Sequence, residues 1–278
     1  MGMAKAEGIY LSADYRVTEH PSGRLIDDAS TKFLTVHYPP FDSGPKALVA
    51  YSGLAFAPDR TPMGTWLRET LRGDTDVFDE SMAHLKRRLD RDIAPTRWPL
   101  IVSALALEGN NRYFGGLTNL AFSDKTRRDL KVLDRFEYLM RAVGTEFAFA
   151  NGSGAAKVAA EGHLERVRKL LSVRPRKVED HMNLLAAINR KVAAKTRTVS
   201  PHCHVSYINA DESTSPTSHA FTRPGESVPF DMPIVLFGID LTDMAGAVWA
   251  HAQRSFEGKM TDIPGLDDAA SRGVKRRP

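Results

Sequence analysis

The sequence predicts an α+β fold: a four-layer αββα sandwich, with two facing sheets and a helix pair on each outer face. Two observations carry that prediction. Strand-rich stretches flank pairs of helices, where a Rossmann-type chain would alternate strand and helix one by one. No glycine-rich nucleotide loop joins a strand to a helix.

Taken in order, Met1–Ala6 is a short leading strand, and Ile9–Ala13 is an apolar run ending in Asp14. Arg16 and Val17 continue the extended pattern, and His20-Pro21-Ser22-Gly23 has the turn chemistry of a hairpin. Arg24–Ile26 returns towards Lys32 and the apolar Phe33-Leu34-Thr35-Val36. This hairpin brings a carboxylate, an arginine and a lysine towards one end of a sheet. Taken alone, a lysine beside an aspartate there reads as structural. Ala47–Ala57 is an apolar run interrupted at Ser52-Gly53, where a strand turns towards a helix. Asp59–Arg72 and Asp79–Ala94 read as helices. Phe78, Met82, Leu85, Leu89 and Ile93 recur at helical spacing, Asp79 is placed as the cap, and Lys86, Arg87, Arg88 and Arg91 form a solvated face.

Pro99–Leu107, the turn Glu108–Asn111 and Arg112–Leu117 form a hairpin. The charged stretch Ser123–Arg141 reads as a helix or an insertion, and Glu146–Ala150 as a strand. Asn151-Gly152-Ser153-Gly154 follows, with Ser153 suited to cap the next helix. Helices are expected over Ala155–Leu171 and Val178–Lys195, the second with an apolar stripe of Val178, Met182, Leu185, Ile188 and Val192. His202–Ile208 is a strand on which His202 and His204 share a face. With no third ligand at a recognisable spacing, they read as packed residues rather than metal ligands. Asn209–Phe230 reads as a long loop, Pro233–Leu241 as a further strand and Met244–Phe256 as a last helix. A single domain over residues 1–258 is expected, with 259–278 as a polar tail.

Ala13-Asp14-Tyr15-Arg16-Val17-Thr18, Lys32-Phe33, Ser52-Gly53-Leu54 and the Gly152-Ser153-Gly154 segment stand in the order and spacing of one known family. Over about three quarters of the chain, as far as Ile208, the sequence resembles the proteasome β-subunit family, the threonine peptidases among the N-terminal-nucleophile hydrolases. The resemblance implies amide-bond hydrolysis through an acyl-enzyme, with no metal or organic cofactor. Lys32 would lower the pKa of the nucleophile's hydroxyl, and Asp14 would orient and charge-balance Lys32. The Gly53 N–H would stabilise the oxyanion, Ser153 would hold the amine, and Arg16 would be a strut for Asp14 and its loop. Active members carry an Asp-x-x-Ser segment after the second helix. This chain has Lys195-Thr196-Arg197-Thr198-Val199-Ser200, in which Ser200 takes the serine's place and no aspartate precedes it.

The nucleophile of that chemistry is a Thr, Ser or Cys that opens the mature chain, its own α-amine acting as base. Ungapped alignment puts it three residues before Met1. Two readings follow. Either the mature chain starts upstream of Met1 and is an active hydrolase of peptides or small amides, or it is a catalytically inactive scaffold that keeps the fold. By resemblance, homo-oligomers are also expected.

Composition fits both readings. The 278 residues are 42% hydrophobic, enough for a sizeable core, and 38 basic against 34 acidic residues leave a net charge of only +4. No basic stripe with interleaved aromatics points to nucleic acid. Cys203 is the single cysteine, which excludes an intrachain disulfide and suits a reducing cytoplasm. The polar start MGMAKAEG and apolar runs shorter than ten residues argue against a leader or a membrane span.

Overall fold

A computed structural model describes residues 1–18, 22, 24–40, 44–72, 77–122, 130–172, 177–210, 217–223, 226, 228, 233–245 and 247. Two sheets dominate. The first has the order β10-β1-β2-β11-β12, from β1 (Gly2–Lys5), β2 (Gly8–Asp14), β10 (Ala148–Phe149), β11 (Cys203–Asn209) and β12 (Thr217–Phe221), all antiparallel. The second has the order β14-β13-β5-β6-β7-β8-β9. Its strands are β5 (Phe33–His37), β6 (Lys46–Gly53), β7 (Leu100–Glu108), β8 (Asn111–Phe122), β9 (Leu130–Ala142), β13 (Ile234–Leu236) and β14 (Ile239–Asp240). Only β13 runs parallel to its neighbour, β5, among the described pairs. A small hairpin of β3 (Val17–Thr18) and β4 (Leu25–Asp27) stands beside them.

The strands are apolar on both faces because each face meets a different layer. Ile9 and Leu11 of β2, Leu48 of β6, Leu105 and Leu107 of β7 and Ile208 of β11 pack between the sheets. Their neighbours point the other way, as the period of two requires. Val49 and Tyr51 of β6 and Val102 and Ala104 of β7 meet α1 (Met63–Leu71) and α2 (Phe78–Asp92). Tyr10 of β2 and Val205 and Tyr207 of β11 meet α4 (His163–Ser172) and α5 (Val178–Ala193), and α3 (Ala155–Ala160) adds Val158 to the same cluster. Three apolar clusters between four layers make the αββα sandwich. Among the described residues, no helix is long and apolar enough to cross a membrane.

Several elements differ from expectation. Residues 130–142 form the edge strand β9, not a helix, while 123–129 lie outside the described residues. Its alternate residues Phe136, Tyr138 and Met140 pack onto the cluster that α2 covers, so the period is two. The expected single helix from Ala155 breaks at Gly162 into α3 and α4. The N-cap of α3 is Gly154 with no side-chain cap bond, so Ser153 does not cap it, and α2 starts from Val77 rather than from a capping Asp79. Part of the expected loop 209–230 is strand, since β12 pairs with β11 through Ser206↔Ser218 and its neighbours. Pro233–Leu241 is a hairpin, β13 and β14, turning at Phe237-Gly238, both at positive φ. The hairpin turn at residues 19–21 and 23, the tail 259–278 and the body of the last helix lie outside the described residues.

Candidate functional site

At one end of the sandwich the two sheets part around a cleft of about 660 Å³. Its floor and walls take in Met1 at the start of β1, Asp14 at the end of β2, Lys32, Ser52 and Gly53 at the end of β6, and Gly152 and Ser153 before α3. The sequence spreads these residues widely. They meet because β1, β2 and β6 all end at this edge of the sandwich.

Asp14 is the hub. Its Oδ1 accepts from the Arg16 backbone N–H at 2.8 Å, the Lys32 Nζ at 3.2 Å and the Ser200 backbone N–H at 3.3 Å. Lys32 also donates to the Arg16 carbonyl. Both side chains of the Lys32–Asp14 pair are largely shielded from solvent, which strengthens the interaction and penalises loss of either partner. A carboxylate with three donors on one oxygen is held in one orientation, and it holds the lysine in turn.

Arg16 holds Asp14 through its backbone N–H, while its guanidinium clamps Asp28, Nε to Oδ1 at 3.2 Å and Nη2 to Oδ2 at 2.8 Å, and donates to the Arg197 carbonyl at 2.9 Å. It therefore ties the β3–β4 hairpin to the loop ahead of β11. Burial pushes the Asp28 carboxyl up, but the Arg16 bonds and the Ser200 hydroxyl outweigh burial and hold it below its usual range. Asp28 thus brings a carboxylate to Ser200 from the opposite side of the site, where the sequence after α5 offers none. Ser200 is completely buried, its Oγ accepting the His202 N–H at 3.2 Å and its carbonyl the Asn189 amide at 2.8 Å. Sequence reasoning missed Asp28, whose signal lay in strand register: continuing the pairing Val17↔Asp27 puts Arg16 opposite Asp28.

Gly53 ends β6 at φ 109°, and a Cβ there would lie 2.2 Å from the Pro99 carbonyl oxygen. Only glycine fits, and its backbone stays open to the cleft. Ser153 is exposed in the lining, and a Cβ on its neighbour Gly152 would lie 2.3 Å from the Ser52 hydroxyl, beside Gly53. Asn151 donates to Ser103 beneath it. The Met1 amine donates to the Ser12 carbonyl at 2.7 Å; burial lowers its pKa to about 6, against the opposing pull of Asp14.

Cys203, His202 and His204 border this arrangement, Cys203 pairing with Asp14 across β2 and β11. Cys203 is fully buried, and burial pushes its thiol up to about 12, far from a thiolate nucleophile. His204 packs on Phe33 with ring centroids 4.0 Å apart, and His202 reaches Glu226 at 2.8 Å. Among the described residues, no three His, Cys, Asp or Glu side chains are grouped to hold a metal.

No family model and no curated protein matches the sequence. Among solved structures, the chain is similar to Anbu (ancestral beta-subunit) from Yersinia bercovieri, at 11% identity over 94% of this chain and 96% of that one, with a TM-score of 0.47.

Proposed function

We propose that this chain is an amide hydrolase of the N-terminal-nucleophile type, acting on peptides or small amides. One observation carries the reading: the Asp14–Lys32 pair, fixed by two backbone donors, lies in the cleft onto which β1 opens, across from the Gly53 backbone. In the register of β1 with β2, Gly2 faces Leu11, so a chain extended upstream runs alongside Ala13 and Asp14 into the cleft, and its third residue before Met1 lies just past Asp14. A Thr, Ser or Cys opening the mature chain there would meet a lysine that stabilises its ionised hydroxyl or thiol and a backbone N–H that stabilises an oxyanion. The attacking oxygen or sulfur forms an acyl-enzyme, the amine leaves with the proton the α-amine took up, and water then releases the acid. Asp28, through Arg16 and Ser200, would keep the loop before β11 in place behind Asp14. Self-association belongs to the same proposal and is read by sedimentation of the purified protein.

The test is the intact mass and N-terminal sequence of the protein made from its native locus, followed by reaction with an acylating amide-type probe. A chain beginning with Thr, Ser or Cys ahead of Gly2, and a single adduct that Lys32→Ala reduces at least a hundredfold in rate, are expected. A mature chain beginning at Met1 or Gly2 overturns the hydrolase reading and leaves a binding or scaffold protein built on this cleft.

A further inference from the structure

The charged side chains of the cleft lining are already engaged, Lys32 with Asp14 and Arg16 with Asp28 and the Arg197 carbonyl. Elsewhere the lining carries three large apolar side chains left open to solvent: Ile26 at 51% exposure, Phe56 at 40% and Trp98 at 56%. They come from three separate segments, β4, the turn after β6 and the approach to β7. A single exposed apolar residue needs no explanation, but a convergent set lining one concave site marks a place where a ligand is buried.

Trp98 is also mounted rigidly. Its N–H donates to the Thr96 hydroxyl at 3.2 Å, and its carbonyl accepts from the Asn119 amide at 2.8 Å. Asn119 is fully buried and takes the Leu100 N–H at 2.9 Å with its other end. The preceding Arg97 is held at φ 53°, an uncommon conformation for a non-glycine residue, so the local backbone is specified rather than slack. Clamped on both sides, the Trp98 backbone fixes the point from which the exposed indole projects. Leu100 pairs with Gly53, and the Pro99 carbonyl abuts Gly53, so Trp98 stands two residues from the partner of a glycine that lines the cleft. An aromatic anchor on a fixed backbone beside that glycine is what an acyl-binding subsite needs.

We propose that the cleft selects amides whose acyl side carries an aromatic or large aliphatic group, which packs on Trp98 with Phe56 and Ile26 while its carbonyl meets Gly53. This rests on reading the cleft as the acyl-binding site, but it does not require a nucleophile. The test is calorimetric titration of the full chain with blocked, non-electrophilic tripeptide amides that differ at one position: Phe, Leu, Gly, Asp or Lys. The Phe and Leu peptides are expected to bind at least tenfold more tightly than the Gly, Asp and Lys peptides. Trp98→Ala should erase the preference, Trp98→Phe should keep most of it, and neither should change sedimentation. Equal binding of all five, no binding of any, a preference that survives Trp98→Ala, or a change of oligomeric state in that variant would overturn the proposal. Apolar selectivity in a protein that proves to lack an N-terminal nucleophile would overturn the hydrolase reading and leave this one standing.

Discussion

Asp14 and Lys32 form one ion pair, yet their removal should have unequal consequences. Lys32→Ala leaves the Asp14 carboxylate with two backbone donors, from Arg16 and Ser200. Asp14→Ala removes the acceptor shared by three donors and leaves a shielded ammonium with only the Arg16 carbonyl. Stranding buried donors costs more than removing one of several partners. We expect urea denaturation to give a loss of about 1 kcal/mol for Lys32→Ala and about 2–4 kcal/mol for Asp14→Ala. A larger loss for the lysine variant would mean that the pair is not organised around the carboxylate. That Asp14, Arg16 and Lys32 gather at one sheet end was legible in the sequence because each sits beside an extended run, while a role for them came only from the resemblance. Asp28 was not, because Asp27 and Asp28 are adjacent and only the hairpin's register decides which one meets the guanidinium.

At the scale of elements, the same logic separates what was readable from what was not. Strands buried on both faces, such as β2, β6 and β7, announce themselves as continuous apolar runs. β9 does not, because α2 covers one face and the other is exposed, so charged residues alternate with Val132, Phe136, Tyr138 and Met140 and mimic a solvated helix. The end of β6 carries the element-level prediction. Gly53→Ala must either drive its Cβ against the Pro99 carbonyl or abandon the φ of 109° that ends the strand. Backbone relocation of this kind costs about 2–3 kcal/mol. Hydrogen exchange should show faster exchange at Leu100 and neighbouring β7 amides than in the parent, with α5 unchanged. Unaltered β7 protection would show that the β6–β7 junction is softer than its packing implies.

The whole molecule buries apolar surface in three clusters, and burial there shifts two histidines, His204 and His37. His204, 1% exposed, packs against Tyr15 and Phe33; burial first, and then the charge of His219, lowers its pKa to about 3. His37, at the end of β5, is lowered to about 4 by burial and by the like charge of Lys46. Both rings are neutral in the fold and take up a proton once it opens, near the ordinary value of about 6.5. Their contribution to stability is therefore complete well above about pH 6.5 and is lost as pH falls towards their folded values, because the unfolded chain binds the extra protons. Each histidine removes about 1 kcal/mol between pH 6.5 and 5.5, so the pair should cost about 2 kcal/mol over that single unit, before most carboxylates titrate. Urea unfolding at pH 7.5, 6.5 and 5.5 reads this directly: a shallow upper interval, about a third of the fall in the lower one. His204→Gln keeps a polar partner for Tyr15 but cannot titrate, and should lower stability at pH 7.5 while roughly halving the slope below 6.5. If the slope is unchanged in that variant, the acid sensitivity resides outside the β2–β11 interior, and the neutral His204 is not what joins the two sheets at low pH.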